Sequence, residues 1–215
     1  MKASGYFNVS PKKLLCFNSD SDYDQKYFIE PSKLVKTKNK FFDNKTSGDK
    51  IKDFFDTIFL LEENGKLSEL NRLLDSINEV KETHIGLTNK GFSGHGPNVD
   101  ALKLSLHGLN DIKKKAIIHH LKIDFDAITY YIMTGVYSKH FKEDSLSDLI
   151  TNIIFAELMD FTEQTFLYYG KNAINSKVYT HKCWDLSKHK WTLKKFSVYY
   201  EVNHIPTILI PAKTV

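Results

Sequence analysis

Two aspartates four residues apart, Asp144 and Asp148, are the first groups in this sequence whose type and spacing could do chemistry. On a helix that spacing puts both side chains on one face, a turn apart. Carboxylates so placed can share a hard divalent cation such as Mg²⁺ or Mn²⁺, with the side-chain oxygen of Asn152 as a neutral third ligand. Thr151 adds a hydroxyl beside it. Further along, Glu157 falls among Leu, Ile and Phe. A carboxyl taken out of water has a raised pKa and can serve as acid or base. The catalytic candidates are therefore Asp144, Asp148 and Glu157, and the metal candidates are Asp144 and Asp148. Each also has a plainer reading. Asp144 suits a first helical turn, where a carboxylate complements the dipole. Asp148 can hydrogen-bond Thr151 or a nearby loop, and Glu157 can pair with one of 30 Lys and Arg.

Other constellations carry less. GLTNKGFSGHG before Pro97 could hold an anion at a helix N-terminus. It fits neither GxGxxG nor GxxxxGK[ST], and a turn is the simpler reading of it and of His95. Lys113, Lys114 and Lys115, with Lys122, form a basic strip that could touch phosphate, as a solvated helix face also would. His119 and His120 precede Asp124 and Asp126 in HHLKIDFD, a pattern matching no established zinc spacing. Cys183 has His181 and His189 nearby, and on a strand residues 181 and 183 share a face; structural use of the thiol is the favoured reading. GFSGH lacks the final glycine of GxSxG. WDLSK and YYEVNH miss the (Asp/Glu)-x-Lys that restriction-type nucleases place on a strand.

The elements that must position these groups follow from periodicity. Ile51, Phe54, Phe55, Ile58 and Leu61 make one helical face from Asp49, capped by Ser47 or Asp49 and ended by Gly65. Leu67 to Ile77 gives a second, shorter helix, and Asn64-Gly65 suggests an αα-hairpin. Helical spacing resumes at Val99 and continues through DIKKKAIIHHLKI and DFDAITYYIM. Residues 144–166 read as one long helix, with Leu146, Leu149, Ile150, Ile153, Ile154 and Glu157 on one side. VYTHKCW, WTLKKFSVYY and IPTILIPAK are β-branched and aromatic and read as strands. LLCF and KYFIE are short extended pieces around a polar loop, and KTKNKFFDNKTSGDK is a solvated linker. The fold class is α+β: a mostly helical body (49–170) with a small antiparallel or mixed sheet from C-terminal strands (171–215). Residues 1–48 pack on it as an extended N-terminal segment, within one compact domain.

Hydrophobic residues make up 41% and charged residues 26% of the 215, ordinary for a globular protein. A net charge of +4 permits nucleic-acid contact without demanding it. The two cysteines, Cys16 and Cys183, lie far apart, which excludes a disulfide framework and fits a reducing cytosol. No stretch has the apolar length of a signal peptide or membrane span, so the expected location is cytoplasmic.

The segment Asp144 to Ile154, D-x-L-S-D-L-x-T-N-I-I, resembles a recurring segment in a group of uncharacterised bacterial proteins. In that group a glycine-rich stretch like GLTNKGFSGHG lies upstream, and segments like VYTHKCWDL and PTILIPAKTV lie downstream. The resemblance runs in patches from Ile85 to Val215 and implies a restriction-like or phage-defence context. His140, Lys142 and Ser145 stand where the group has glycines and an Arg. The chain stops at PAKTV where those proteins continue, which suggests a shortened, split or degenerate version.

Three functions are compatible with these residues. The favoured one is a non-catalytic module that binds a protein partner or nucleic acid in a bacterial defence system, with Asn152, Thr151, Lys113, Lys114, Lys115 and His95 as binding candidates. It expects Asp148 and Asn152 to be engaged in internal hydrogen bonds. The alternatives are a metal-dependent nuclease-like effector using Asp144 and Asp148, and an inhibitor or antitoxin-like factor.

Overall fold

The computed structural model describes residues 1–22, 25–85, 100, 103, 108, 143–174 and 177–215. Within them the protein is α+β, with helices first and two small antiparallel sheets near the C-terminus. The helices are α1 (Ala3–Phe7), α2 (Pro31–Lys36), α3 (Asn44–Glu63), α4 (Leu67–Leu74), α5 (Glu143–Ile153) and α6 (Phe155–Tyr168). Single 3₁₀ turns occupy Pro11–Lys13 and Lys81–Thr83. Strands β1 (Val178–Asp185) and β2 (Lys190–Ser197) form one hairpin, and β3 (Glu201–Val202) and β4 (Ile205–Pro206) a smaller one. None of the described helices is long and apolar enough to cross a membrane. The glycine-rich stretch from Gly86 to Gly96 and the helical spacing expected from Val99 lie outside the described residues, apart from Asp100, Lys103 and Gly108, which are helical.

The α3–α4 hairpin forms as expected, but α3 begins earlier. Asp43, not Ser47 or Asp49, caps it, its Oδ1 accepting from the Thr46 N–H at 2.9 Å. Much of the supposed linker is thus helix, and Phe42, Ser47 and Lys50 are buried. Gly65 (φ +65°) turns the chain at the α3 C-terminus, where Lys66 N–H reaches the Leu61 carbonyl; Gly170 (φ +70°) does the same after α6 for Lys171 and Phe166. Both use the left-handed backbone that glycine adopts without a Cβ penalty.

The long helix expected over 144–166 is two helices. Ile154, at φ −100° and ψ 18°, separates α5 from α6. The turn before it is Thr151-Asn152-Ile153, in which Thr151 Oγ1 donates back to the Ser147 carbonyl and Asn152 Nδ2 to the Asp148 carbonyl. Side chains that compete for i−4 carbonyls bend helices, and three β-branched residues in four add crowding.

IPTILIPAK is a strand only at Ile205–Pro206. Beyond that the residues from Thr207 to Pro211 are buried, but their hydrogen-bond partners are not strands. Ile208 N–H donates to the Glu82 carbonyl, Leu209 N–H to Thr162 Oγ1, and Ala212 N–H to the Leu15 carbonyl. Phe17 N–H returns to the Ile210 carbonyl, and Cys16 and Pro211 form an isolated bridge. The extended piece LLCF therefore pairs with the C-terminal segment.

One apolar cluster joins all three stretches of sequence: Phe7 and Cys16, then Phe54, Ile58, Ile150 and Phe161, then Trp184 and Ile208. Aromatic rings fill much of it. Phe54 of α3 meets Trp184 edge-on at 5.0 Å, and Phe155 of α6 lies flat on His181 at 3.6 Å. The β1–β2 hairpin is thereby fastened to the helices by its two ends.

Candidate functional site

Helix α5 places the sequence candidates, and each visible one is tied into the fold. Asp148 Oδ1 accepts from the Val80 N–H at 3.4 Å. Asn152 Nδ2 donates to the Asn78 carbonyl at 2.7 Å and to the Asp148 carbonyl at 2.8 Å. Thr151 Oγ1 donates to the Ser147 carbonyl, and Ser147 Oγ accepts from the Ile29 N–H at 3.0 Å. Fewer than two turns of α5 therefore satisfy backbone groups of two separate loops that have no regular partner of their own. That is the work buried polar side chains do when irregular backbone packs against a helix.

Glu157 lies in the first turn of α6 and meets Lys50 of α3 at 2.6 Å, with the two side chains 10% and 6% exposed. Burial pushes the carboxyl above its ordinary value, and the Lys50 ammonium opposes that shift only in part. Its Oε2 has no hydrogen-bond partner among the described residues. The geometry is that of an ion pair closing a gap between two helices. The side chain of Asp144, together with His95 and Lys113, Lys114 and Lys115, lies outside the described residues, so the Asp144–Asp148 pair is not brought into view. Among the described residues no three His, Cys, Asp or Glu side chains converge as a metal site.

Cys183 is fully buried, its thiol pushed up to about 12 by desolvation, and it contacts the His181 carbonyl at 3.8 Å. The His181 ring is stacked on Phe155, and its Nδ1 lies 2.7 Å from the Lys182 carbonyl, so the imidazole is turned toward packing and backbone. A thiol this far from ionisation is a poor nucleophile.

Two polar groupings were not visible as motifs. Asp53 of α3 accepts from Trp184 Nε1 at 2.8 Å with Oδ2, while its Oδ1 lies 2.7 Å from Nδ1 of the exposed His189. This carboxylate holds the turn of the β1–β2 hairpin onto α3. The other grouping is interior. The Tyr179 hydroxyl donates to Glu82 Oε1, and His84 Nε2 lies 2.9 Å from Thr207 Oγ1. Burial raises the Glu82 carboxyl and lowers the His84 imidazole to about 4, in each case by disfavouring the charged form. Sequence separations of about a hundred residues or more leave no local pattern from which either could be read.

Residues 8–215 match the family model described as a domain of unknown function, DUF8370. No curated protein and no solved structure matches the chain.

Proposed function

The chain belongs to that family of unknown function, and we propose that it acts as a non-catalytic binding module for a protein partner or nucleic acid. The bacterial defence context implied by its sequence resemblance is the setting proposed for it. One observation carries the reading: Asp148, Asn152 and Glu157 are each committed to contacts inside the fold. A carboxylate that holds a loop N–H, and another neutralised by a buried lysine, are poorly disposed to gather a cation or move a proton. They are well disposed to hold α5, α6 and the segment from Asn78 to Val80 rigid beneath a binding surface.

The test is a titration of Mg²⁺ and Mn²⁺ by calorimetry, with incubation of plasmid and single-stranded DNA, on wild type and Asp148→Ala. The expected result is no saturable metal heat and no cleavage by either protein. Asp148→Ala should lose about 1–3 kcal/mol of stability, the cost of stranding a buried backbone donor. Cleavage by the wild type that disappears in Asp148→Ala would overturn the proposal and make α5 a catalytic helix.

A further inference from the structure

From Lys177 to Ser197 the sequence carries six lysines and one carboxylate, Asp185, a formal charge of +5 in a segment whose parent chain totals +4. All six lysines are exposed. Two have carboxylate partners: Lys177 on Glu201 and Lys188 on Asp185. Lys194 lies close enough to Glu157 and Asp160 to act on both. Lys182, Lys190 and Lys195 have no ion-pair partner among the described residues; Lys182 reaches only Ser76 Oγ, at 3.5 Å.

The strand register sorts the hairpin's two faces. Tyr179 opposite Phe196, His181 and Cys183 face the helices. The alternate residues face out away from the turn: Lys182 opposite Leu193, Thr180 opposite Lys195, Val178 opposite Ser197, all exposed, whereas the next pair on that face, Trp184 and Trp191, packs on Phe54. Two residues along a strand span about 7 Å, so Lys182 and Lys195, diagonal neighbours on the ribbon, stand a side-chain reach apart. Lys190, opposite Asp185, belongs by the same alternation to the other face.

We infer that this outward face of the β1–β2 hairpin binds the phosphate backbone of duplex DNA. The inference rests on the binding-module reading and names its partner. The charge density supplies the attraction, because neutralised phosphates release condensed counterions. The choice of a duplex follows from where the aromatics went. Single strands are held by bases stacking on exposed rings. Here Tyr179, Phe196, Trp184 and Trp191 are turned against Phe155 and Phe54. What remains outside is lysine, small polar groups, Val178 and Leu193, a surface for a paired backbone rather than for splayed bases.

The probes are fluorescein-labelled duplex DNA, single-stranded DNA and duplex RNA of equal length, followed by anisotropy from about 50 to 200 mM KCl. Wild type is compared with the double variant Lys182→Gln, Lys195→Gln. A control double, Lys12→Gln, Lys38→Gln, removes the same charge elsewhere, and thermal melting checks that both fold. Wild type should bind duplex DNA most tightly. The hairpin double should flatten the slope of log K against log salt by up to about 1.8, at roughly 0.9 for each phosphate no longer neutralised. The control should flatten it by less than half as much. The inference is overturned if duplex DNA is not bound, if both doubles lose equally, or if single strands or duplex RNA bind better through the same lysines. Capture of a protein through the hairpin, without DNA binding, would also overturn it while leaving the binding-module reading intact. Failure of that reading shows itself separately, as cleavage that disappears in Asp148→Ala.

Discussion

Removing the ammonium from the Lys50–Glu157 pair should be among the most damaging single changes this fold can suffer, and its cost should depend on pH. Lys50→Met keeps the stem's bulk and deletes the charge, leaving Glu157 in a site 10% exposed with Oε2 already unpartnered. At 2.6 Å the attraction removed is about 6 kcal/mol for an effective dielectric constant near 20. The carboxyl can escape that loss by taking up a proton. From its ordinary value of 4.5, protonation at about pH 7 costs about 3.4 kcal/mol, at 1.36 per pH unit, and this caps the electrostatic penalty. At about pH 5 the cap falls to roughly 0.7 kcal/mol. The sign follows from linkage. A carboxyl whose folded value is raised binds more protons folded than unfolded above 4.5, so its contribution is lost as pH rises through that window. Lys50→Met raises the folded value further and widens the window upward. Urea unfolding should therefore show Lys50→Met weakened by about 3–4 kcal/mol at about pH 7 and by about 1 kcal/mol or less at about pH 5. The double variant Lys50→Met, Glu157→Leu should return to within about 1 kcal/mol of wild type, since an apolar pair replaces a buried ion pair at little cost. A loss that is the same at both pH values, or a double variant no better than the single, would refute the reasoning.

Asp53→Ala should cost about 1–3 kcal/mol by stranding the Trp184 indole N–H, and Asp53→Asn less because one oxygen remains; urea unfolding followed by tryptophan fluorescence reads both. An Asp53→Ala protein as stable as wild type would mean that the indole finds another acceptor. His84 should make stability rise with pH between about 4 and 6.5, because the unfolded chain binds a proton there that the buried imidazole refuses. Melting temperatures across that range should show a shallower slope in His84→Gln, and an unchanged slope would place the titration elsewhere.

The helices were legible wherever a single apolar stripe faced a single neighbour. Ile51, Phe54, Phe55 and Ile58 follow that rule, and the stripe they predict is the buried face of α3. Its first turn was not legible, because Asn44 to Ser47 carry no stripe and the cap is a side-chain bond that several neighbouring residues could have made. The break at Ile154 escaped for a related reason. Periodicity averages over a window, whereas Thr151 and Asn152 bend the chain through two individual hydrogen bonds. Ile208 to Ile210 read as a strand because burial and β-branching are all that composition registers; the identity of the backbone partner is a tertiary fact. In the candidate site, the sequence pointed to Asp148, Asn152 and Glu157 as residues needing an account, and an acidic group on an apolar face was matched with a lysine. Which lysine could not be read, since Lys50 lies in the turn taken for a solvated linker.

The pairing of residues near Leu15 with residues near Ile210 has a consequence for the order in which the protein can be made. Leu15 and Phe17 exchange backbone hydrogen bonds with Ala212 and Ile210, Glu30 N–H is satisfied by the Thr214 carbonyl, and Ile208 closes over the Glu82 turn. On a ribosome delivering about 5–20 residues per second, the N-terminal segment waits roughly ten seconds or more for these partners. During that interval Cys16, Ile29 and Leu34, all buried in the finished fold, lack part of their cover. Pairings of such sequence separation also slow the final closure. The nascent chain is thus most exposed to proteases and to self-association just before translation passes residue 214, and its survival in a cell depends on how quickly that last segment docks.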